Sequence, residues 1–417
     1  MGNETNFSCN ITHFSPEENR HFQNYSWWVE TMGNLCCGCI GVFLNLITIH
    51  VFSSPALRKN FFNRLLICLA IFDTLYITCE ISEVFRHRHN TFLQQSIFVN
   101  FVFPIRNIFM FSSVYMTVVL AFERYQAITN PMQYRIRGVR SSLNKELLTH
   151  VLPGVIFAVI YYIPRFFELN VEEIGKDCTN FTNMTSISVN DSAEEAINIA
   201  TKGTCTPKYI VVPTNLRRNH IYVFWYLIAS NLTLTALIPF LALSFLNCKI
   251  ISSLKKVSER KKSLRTKKST ASTDALCSPN NNPTSHLDTD MKKTFILFSI
   301  VALFVICHSL RVAFNIDEFI YRMRQLANSQ FCRSPRIWTR YLGPFNQLFI
   351  ILNSSLNFFI YTVFDNGFQG TLRSSLKLKS HVQNEQNENT EGTRLTRNAR
   401  IIVNNQIELS DMNIDNV

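Results

Sequence analysis

Glycine is scarce in this chain, 12 residues in 417 against 35 phenylalanines, and no glycine-rich segment of the phosphate-cradling kind is present. That excludes a nucleotide-handling enzyme built on such a loop. Nor is there a clustered nucleophile or metal site, since Cys307 and His308 adjoin on one predicted helix and point apart. The first thirty or so residues lack an apolar run, so no cleavable signal peptide is expected and the first apolar segment should anchor the chain. Met1-Gly2-Asn3-Glu4-Thr5-Asn6 lacks the Ser or Thr that myristoylation requires where Asn6 stands. No internal repeat is visible, which argues against a transporter made of duplicated halves. The apolar run from Trp338 to Val363 contains no lysine, which excludes a retinal Schiff base on it.

What the chain has instead is long hydrophobic runs. About 20 apolar residues cross a bilayer as a helix, and seven such runs occur: Met32 to Phe52, Phe62 to Val84, Phe98 to Phe122, Leu147 to Phe167, Tyr222 to Leu246, Thr294 to Asn315 and Trp338 to Val363. They lack the polar stripe of a soluble amphipathic helix. The fold expected is an all-α membrane protein, a seven-helix bundle over residues 32–363 with a third inner loop at about 247–293. A glycosylated N-terminus (1–31) precedes it; an amphipathic membrane-surface helix (364–380) and a disordered tail (381–417) follow.

Two independent signals set the topology. Glycosylation sequons stand at Asn3, Asn6, Asn10 and Asn24 before the first run, and at Asn180, Asn183 and Asn190 between the fourth and fifth. Lys and Arg gather in the opposite connections: Arg58, Lys59 and Arg64; Arg135, Arg137, Arg140 and Lys145; Lys255 through Lys268; then Lys292 and Lys293. Both place the N-terminus outside, in the plasma membrane. Most of the net charge of +12 is then cytoplasmic, facing anionic lipid rather than nucleic acid.

Of the 12 cysteines, Cys36, Cys37, Cys39, Cys68, Cys79 and Cys307 lie in the runs as packing residues, and Cys248 and Cys277 face the cytosol. Cys9, Cys178, Cys205 and Cys332 fall outside. Four oxidised cysteines permit three pairings, among which sequence does not choose; Cys178 with Cys205 is favoured because it would close a glycosylated loop.

Polar residues within lipid-spanning helices must find partners in the bundle. Asn45, Asp73, Ser113, Asn353 and Asn357 form one such group, with Asn353 and Asn357 four residues apart. They would hold a water cluster or a sodium ion beside Asp73, or serve as interhelical glue. Glu123-Arg124-Tyr125 closes the third run on the basic side, where a charged pair costs little only at an interface. No other metal or cofactor is expected.

Across all seven runs the chain resembles rhodopsin-like (class A) G-protein-coupled receptors. The resemblance rests on Asn45, on Leu69-Ala70 with Asp73, on Glu123-Arg124-Tyr125 and Pro239, on Phe304, Cys307 and His308, and on Asn357-Phe358-Phe359-Ile360-Tyr361. A narrower resemblance is to invertebrate FMRFamide-type neuropeptide receptors. It rests on Ser113-Val114-Tyr115-Met116-Thr117, Ile163-Pro164-Arg165-Phe166-Phe167-Glu168, Leu216-Arg217-Arg218, Ile238-Pro239-Phe240, Leu246-Asn247-Cys248 and Asn353-Ser354-Ser355-Leu356-Asn357-Phe358. Val99 stands where most such receptors carry the cysteine that ties the third helix to the second outer loop. Gly154 replaces the usual fourth-helix tryptophan, and Leu310 and Phe358 replace helix-kinking prolines.

The resemblance implies a receptor, not an enzyme, that couples a peptide outside to a heterotrimeric G protein inside. Arg124 would pair with Glu123 and with Asp290 when closed and release when open, with Tyr361 supporting the open state. In the outer halves of the helices stand Arg106, Glu80, Glu83, His308 and Arg311. The Arg of an RF-amide peptide would seek a carboxylate, for which Glu80, Glu83, Glu168, Asp317 and Glu318 are available. Arg106 and Arg311 could equally serve an acidic ligand. Phe364, Phe368, Leu372 and Leu376, with Arg373, Lys377 and Lys379, suit a helix lying on the inner leaflet. Ser and Thr of the third inner loop and tail are candidate kinase and arrestin sites. The alternatives are a seven-span ligand-gated channel and a receptor of the same family for a non-peptide ligand.

Overall fold

The computed structural model describes residues 15–88, 91–140, 143–178, 205–269, 283–327 and 337–376. Among them seven helices are long and apolar enough to cross a membrane: Pro16–Phe52, Phe61–Arg86, Phe92–Thr129, Asn144–Phe167, His220–Ser253, Lys292–Arg324 and Ile337–Phe364. They are the seven expected spans, named here first to seventh, and they pack as a bundle. Asn3, Asn6, Asn10, Asn180, Asn183, Asn190, Cys9, Cys277, Cys332, Lys377 and Lys379 lie outside the described residues.

The first span starts well before the expected Met32. Ser15 and Glu18 form a reciprocal capping box: the Glu18 N–H donates to Ser15 Oγ at 3.1 Å and the Ser15 N–H to Glu18 Oε2 at 2.9 Å, with Pro16 at the first helical position. This satisfies orphan amide donors and nucleates the helix. The polar turns that follow are held against the seventh span. Tyr25 donates its hydroxyl to the Tyr341 carbonyl at 2.6 Å, Arg340 donates to Asn19 Oδ1 at 2.7 Å, and the Arg340 guanidinium sits 4.3 Å from the Phe22 ring centroid. Tertiary partners, rather than hydrophobicity, therefore carry the helix outward.

The inner loop expected over residues 247–293 is largely helical at both ends. One helix runs Ile238–Ser269 and the next Pro283–Ala327. Lysine, arginine and leucine are good helix formers, so the turns continue past the apolar stretch.

Small residues set how closely the spans approach. A Cβ on Gly41 would lie 2.1 Å from Ser355 Oγ of the seventh span, so that contact requires glycine. A Cβ on Gly154 would lie 2.0 Å from Tyr115 Cδ1. The Tyr115 ring thus fills the space beside the fourth span where the family carries tryptophan. Gly154→Ala is expected to destabilise the protein by about 1–3 kcal/mol through overpacking, although helix propensity alone would favour alanine by about 1 kcal/mol. A thermal melt of the purified variant decides the sign; a midpoint at or above wild type would show that Tyr115 yields freely.

Between the fourth and fifth spans a hairpin closes the outer end. Strands β1 (Leu169–Cys178) and β2 (Cys205–Pro213) are antiparallel, in register from Leu169 opposite Pro213 to Cys178 opposite Cys205, with a bulge between Glu173 and Gly175. Val99 and Phe98 of the third span are buried against Val171, with Leu169, Tyr209 and Val211 around them. An apolar seam thus joins hairpin to helix at Val99.

The seventh span breaks without proline. Ile337–Ser355 and Asn357–Phe364 are separate helices meeting at Leu356, where the Phe359 N–H donates to the Leu356 carbonyl at 3.1 Å in a tightened turn. The sixth remains one continuous helix through Leu310. Residues 366–376 form a further short helix, whose first amides at Gly367 and Phe368 donate to Asp365 Oδ1.

Candidate functional site

The outer halves of the second and third spans are joined by charge. Arg106 donates to Glu80 Oε2 at 3.3 Å and makes a short bond to Glu83 Oε2; Glu83 Oε1 also lies 3.6 Å from Arg86. The Glu80 side chain is 4% exposed and that of Glu83 30% exposed, so Glu80 is the interior partner and Glu83 the accessible one. Two of the five carboxylates available to a ligand cation are thus already engaged by Arg106.

Beneath this pair lies a cavity of about 210 Å³ lined by Tyr76, Glu80, Arg106, Arg311, Asn315, Asn346 and Gln347 among others. Tyr76, Ile77, Met110 and Ile350 form an apolar core cluster at its base. Arg311 touches the Met110 thioether, and among the described residues no carboxylate pairs with it. Two buried amide atoms on the same wall, Asn315 Nδ2 and Asn346 Oδ1, have no hydrogen-bond partner. A second cavity of about 610 Å³ continues toward the first span and shares Glu80, Arg106 and Gln347 with the first.

The other expected ligand residues are placed differently. His308 is buried with its ring 4.3 Å from Phe304, and Glu318 is bound at 3.0 Å by Arg322. Neither these two nor half-buried Asp317 lines the two cavities. Glu168 is fully buried: Arg217 donates to its Oε2 at 2.7 Å, Arg165 to the same oxygen at 3.3 Å, and the Tyr222 hydroxyl to Oε1 at 2.6 Å. The Pro164-to-Glu168 string and the Leu216-Arg217-Arg218 string, distant in sequence, thereby meet in one ion cluster that pins the hairpin between the fourth and fifth spans.

At mid-bundle, Ser113 donates to Asp73 Oδ1 at 2.6 Å and Asn357 Nδ2 to Asp73 Oδ2 at 3.0 Å, while Asn45 Nδ2 reaches the Ser354 carbonyl at 2.9 Å. Asn353, expected here, makes none of these bonds. Asn353 and Asn357 lie on opposite sides of the break at Leu356, and only Asn357 reaches Asp73. Ser354 replaces Asn353.

At the inner end Arg124 and Glu123 are buried, with Arg124 Nη2 3.8 Å from Glu123 Oε1 and its guanidinium 4.0 Å from the Phe62 ring centroid. Tyr134, in the helix Pro131–Arg140, donates a short hydrogen bond to the same Glu123 oxygen. Burial first, and then the Glu123 charge, push the Tyr134 hydroxyl above the ordinary tyrosine range, so it remains a donor at physiological pH. Tyr134 was not foreseen; its only signal is a lone tyrosine in an amphipathic turn after Pro131. Half-buried Tyr125 adjoins the pair in sequence, and Tyr361 is buried edge-on to Phe52, ring centroids 5.2 Å apart. Asp290 falls in the sixth helix, but its side chain lies outside the described residues.

Comparison with known proteins follows this geometry. The FMRFamide receptor of Drosophila melanogaster is 25% identical over 345 residues, covering 80% of this chain and 51% of that protein. A Caenorhabditis elegans FMRFamide peptide receptor is 23% identical over 346 residues (81% and 67%), and a probable G-protein coupled receptor of the same organism 24% over 367 residues (85% and 81%). The chain spans about half the length of the Drosophila protein. A family model described as 7 transmembrane receptor (rhodopsin family) matches residues 44–361. Since that match runs from the residue before Asn45 in the first span to Tyr361 in the seventh, the chain belongs to the rhodopsin family of seven-transmembrane receptors.

Proposed function

We propose that this receptor binds an amidated neuropeptide of the FMRFamide type at its outer end and activates a heterotrimeric G protein at its inner end, with the N-terminus outside the plasma membrane. One observation carries the ligand class: the 210 Å³ cavity is lined by Arg311, which has no carboxylate partner among the described residues, and presents an unsatisfied donor, Asn315 Nδ2, with an unsatisfied acceptor, Asn346 Oδ1. A primary carboxamide answers both, its carbonyl accepting and its NH₂ donating. Charge points the same way. Arg106 and Arg311 balance Glu80 and Glu83, so a neutral group adds nothing uncompensated where a carboxylate would. The names of the relatives support the same class.

Arg124 is the lever of coupling and Tyr361 its support. Asp73, Ser113 and Asn357 offer the hard oxygen ligands that suit a sodium ion, and because both Asp73 oxygens already accept hydrogen bonds, an ion would compete with those bonds. Cys178 and Cys205, opposite one another at the hairpin's end, are the outer disulfide.

The test is a panel of amidated peptides and their free acids applied to cells expressing the full chain, reading calcium and cyclic nucleotide. Amides are expected to act at least about tenfold more potently than acids, and Arg311→Gln to weaken them by about tenfold or more. Silence across the panel despite surface expression, or equal potency of amide and acid, would sink the reading.

A further inference from the structure

The larger cavity differs in chemistry from the one beneath it. Its walls are Phe22, Trp27, Glu30 and Asn34 of the first span, Glu80, Glu83 and Val84 of the second, Arg106 of the third and Gln347 of the seventh, among others. Three carboxylates, Glu30, Glu80 and Glu83, line it with one guanidinium, Arg106, and of the three only Glu30 has no cation against it among the described residues. Glu80 and Glu83 are held by Arg106, and Arg86 also lies beside Glu83. Glu30 accepts only a neutral donor among the described residues, the Ser26 hydroxyl at 2.6 Å.

A second observation singles out the same wall. Asn34 is 8% exposed, and its Oδ1 is buried without a hydrogen-bond partner. An acceptor left unpaired costs free energy unless something donates to it. The chain is wound as a π-helix over Trp27–Gly33, which contains Glu30 and ends just before Asn34, and such segments cluster at functional positions. Phe22 and Tyr25 pack against the Tyr341 and Phe345 rings of the seventh span and hold this helix in place, so the wall is formed before any ligand arrives.

The geometry points to a cation subsite between the first and second spans, in which Glu30 supplies the charge and Asn34 Oδ1 a further acceptor for the guanidinium of the peptide's arginine. This rests on the amidated-peptide reading above. A guanidinium carries five donors in a planar fork and suits several acceptors better than a point charge does, while the Trp27 ring can receive its face. Glu80 and Glu83, two of the carboxylates available for this task, are instead spent on Arg106. Amide cavity and cation vestibule share Glu80, Arg106 and Gln347, so adjacent Arg and amide-bearing Phe residues can occupy both at once.

The experiment uses the full chain at the surface of cells, with Phe-Met-Arg-Phe-amide, its Arg→citrulline analogue and its N-acetyl analogue as probes. Wild type is expected to prefer the arginine peptide over citrulline by at least about tenfold, as for a hydrogen bond to a charged group. Glu30→Gln, a change at an exposed position that keeps shape, should erase most of that preference at unchanged surface level, and Glu30→Asp should retain part of it. An undiminished arginine preference in Glu30→Gln overturns the subsite and leaves the receptor reading intact. Loss of discrimination against the N-acetyl peptide alone would overturn it in favour of the terminal amine. A wild-type receptor at the surface but silent to every amidated peptide would overturn the ligand reading itself, and the subsite with it.

Discussion

Arg106→Met is expected to remove most receptor from the cell surface. The substitution keeps most of the side-chain volume and deletes the charge that compensates Glu80 and Glu83. Removing one partner of a buried ion pair commonly costs about 3–5 kcal/mol, because the other charge is left in a poorly solvating site. Against a total stability on the order of 5–15 kcal/mol, that is enough to divert a membrane protein to degradation. The cost lies in the orphaned carboxylate rather than in the lost contact, so Arg106→Met combined with Glu80→Gln should recover much of the surface signal. Quantitative surface labelling of the single and double variants reads this directly. Wild-type abundance of the single variant, or no recovery in the double, would mean that Glu80 does not depend on Arg106.

At the opposite end, Arg124→Ala is expected to abolish G-protein activation, a loss on the order of a hundredfold or more if the guanidinium anchors the partner as interfacial arginines do, while surface expression and peptide binding stay near wild type. The two positions differ in what truncation leaves behind. Glu123 keeps its bond to the Tyr134 hydroxyl, and the ring of Phe62 loses only a cation above its face. The ion pair that is lost is a long one, Arg124 Nη2 standing 3.8 Å from Glu123 Oε1, so less is given up than at Arg106. Arg124 Nε has no partner in this state, as befits a side chain that makes its full set of bonds elsewhere. Agonist-driven nucleotide exchange in membranes carrying the variant is the measurement, and full signalling would remove Arg124 from the coupling step.

The span count, their order and the place of Glu123-Arg124-Tyr125 were all legible from residue order. Length and continuity of apolar runs are local properties, and lipid leaves a helix few other conformations. The outward start of the first span at Pro16 was also legible in principle from Ser15 and Glu18, whose spacing marks a helix start even where the following turns are polar. Gly154 was readable as a departure from the family, though not as the slot for Tyr115.

Sequence alone thus settles which stretches cross the membrane and which side is basic, because hydrophobicity, charge and sequons act through composition over a few turns. It leaves open which polar groups meet, because each residue turns a helix by about 100° and partners depend on rotation and tilt relative to other helices. Only the packed bundle decided that Glu80 and Glu83 bind Arg106, that Glu168 gathers Arg165, Arg217 and Tyr222, and that Ser354 stands where Asn353 was expected. Only packing, too, left Asn34 Oδ1 and the amides of Asn315 and Asn346 unpaired. An unsatisfied atom is a property of its surroundings, and its surroundings here come from segments up to hundreds of residues apart.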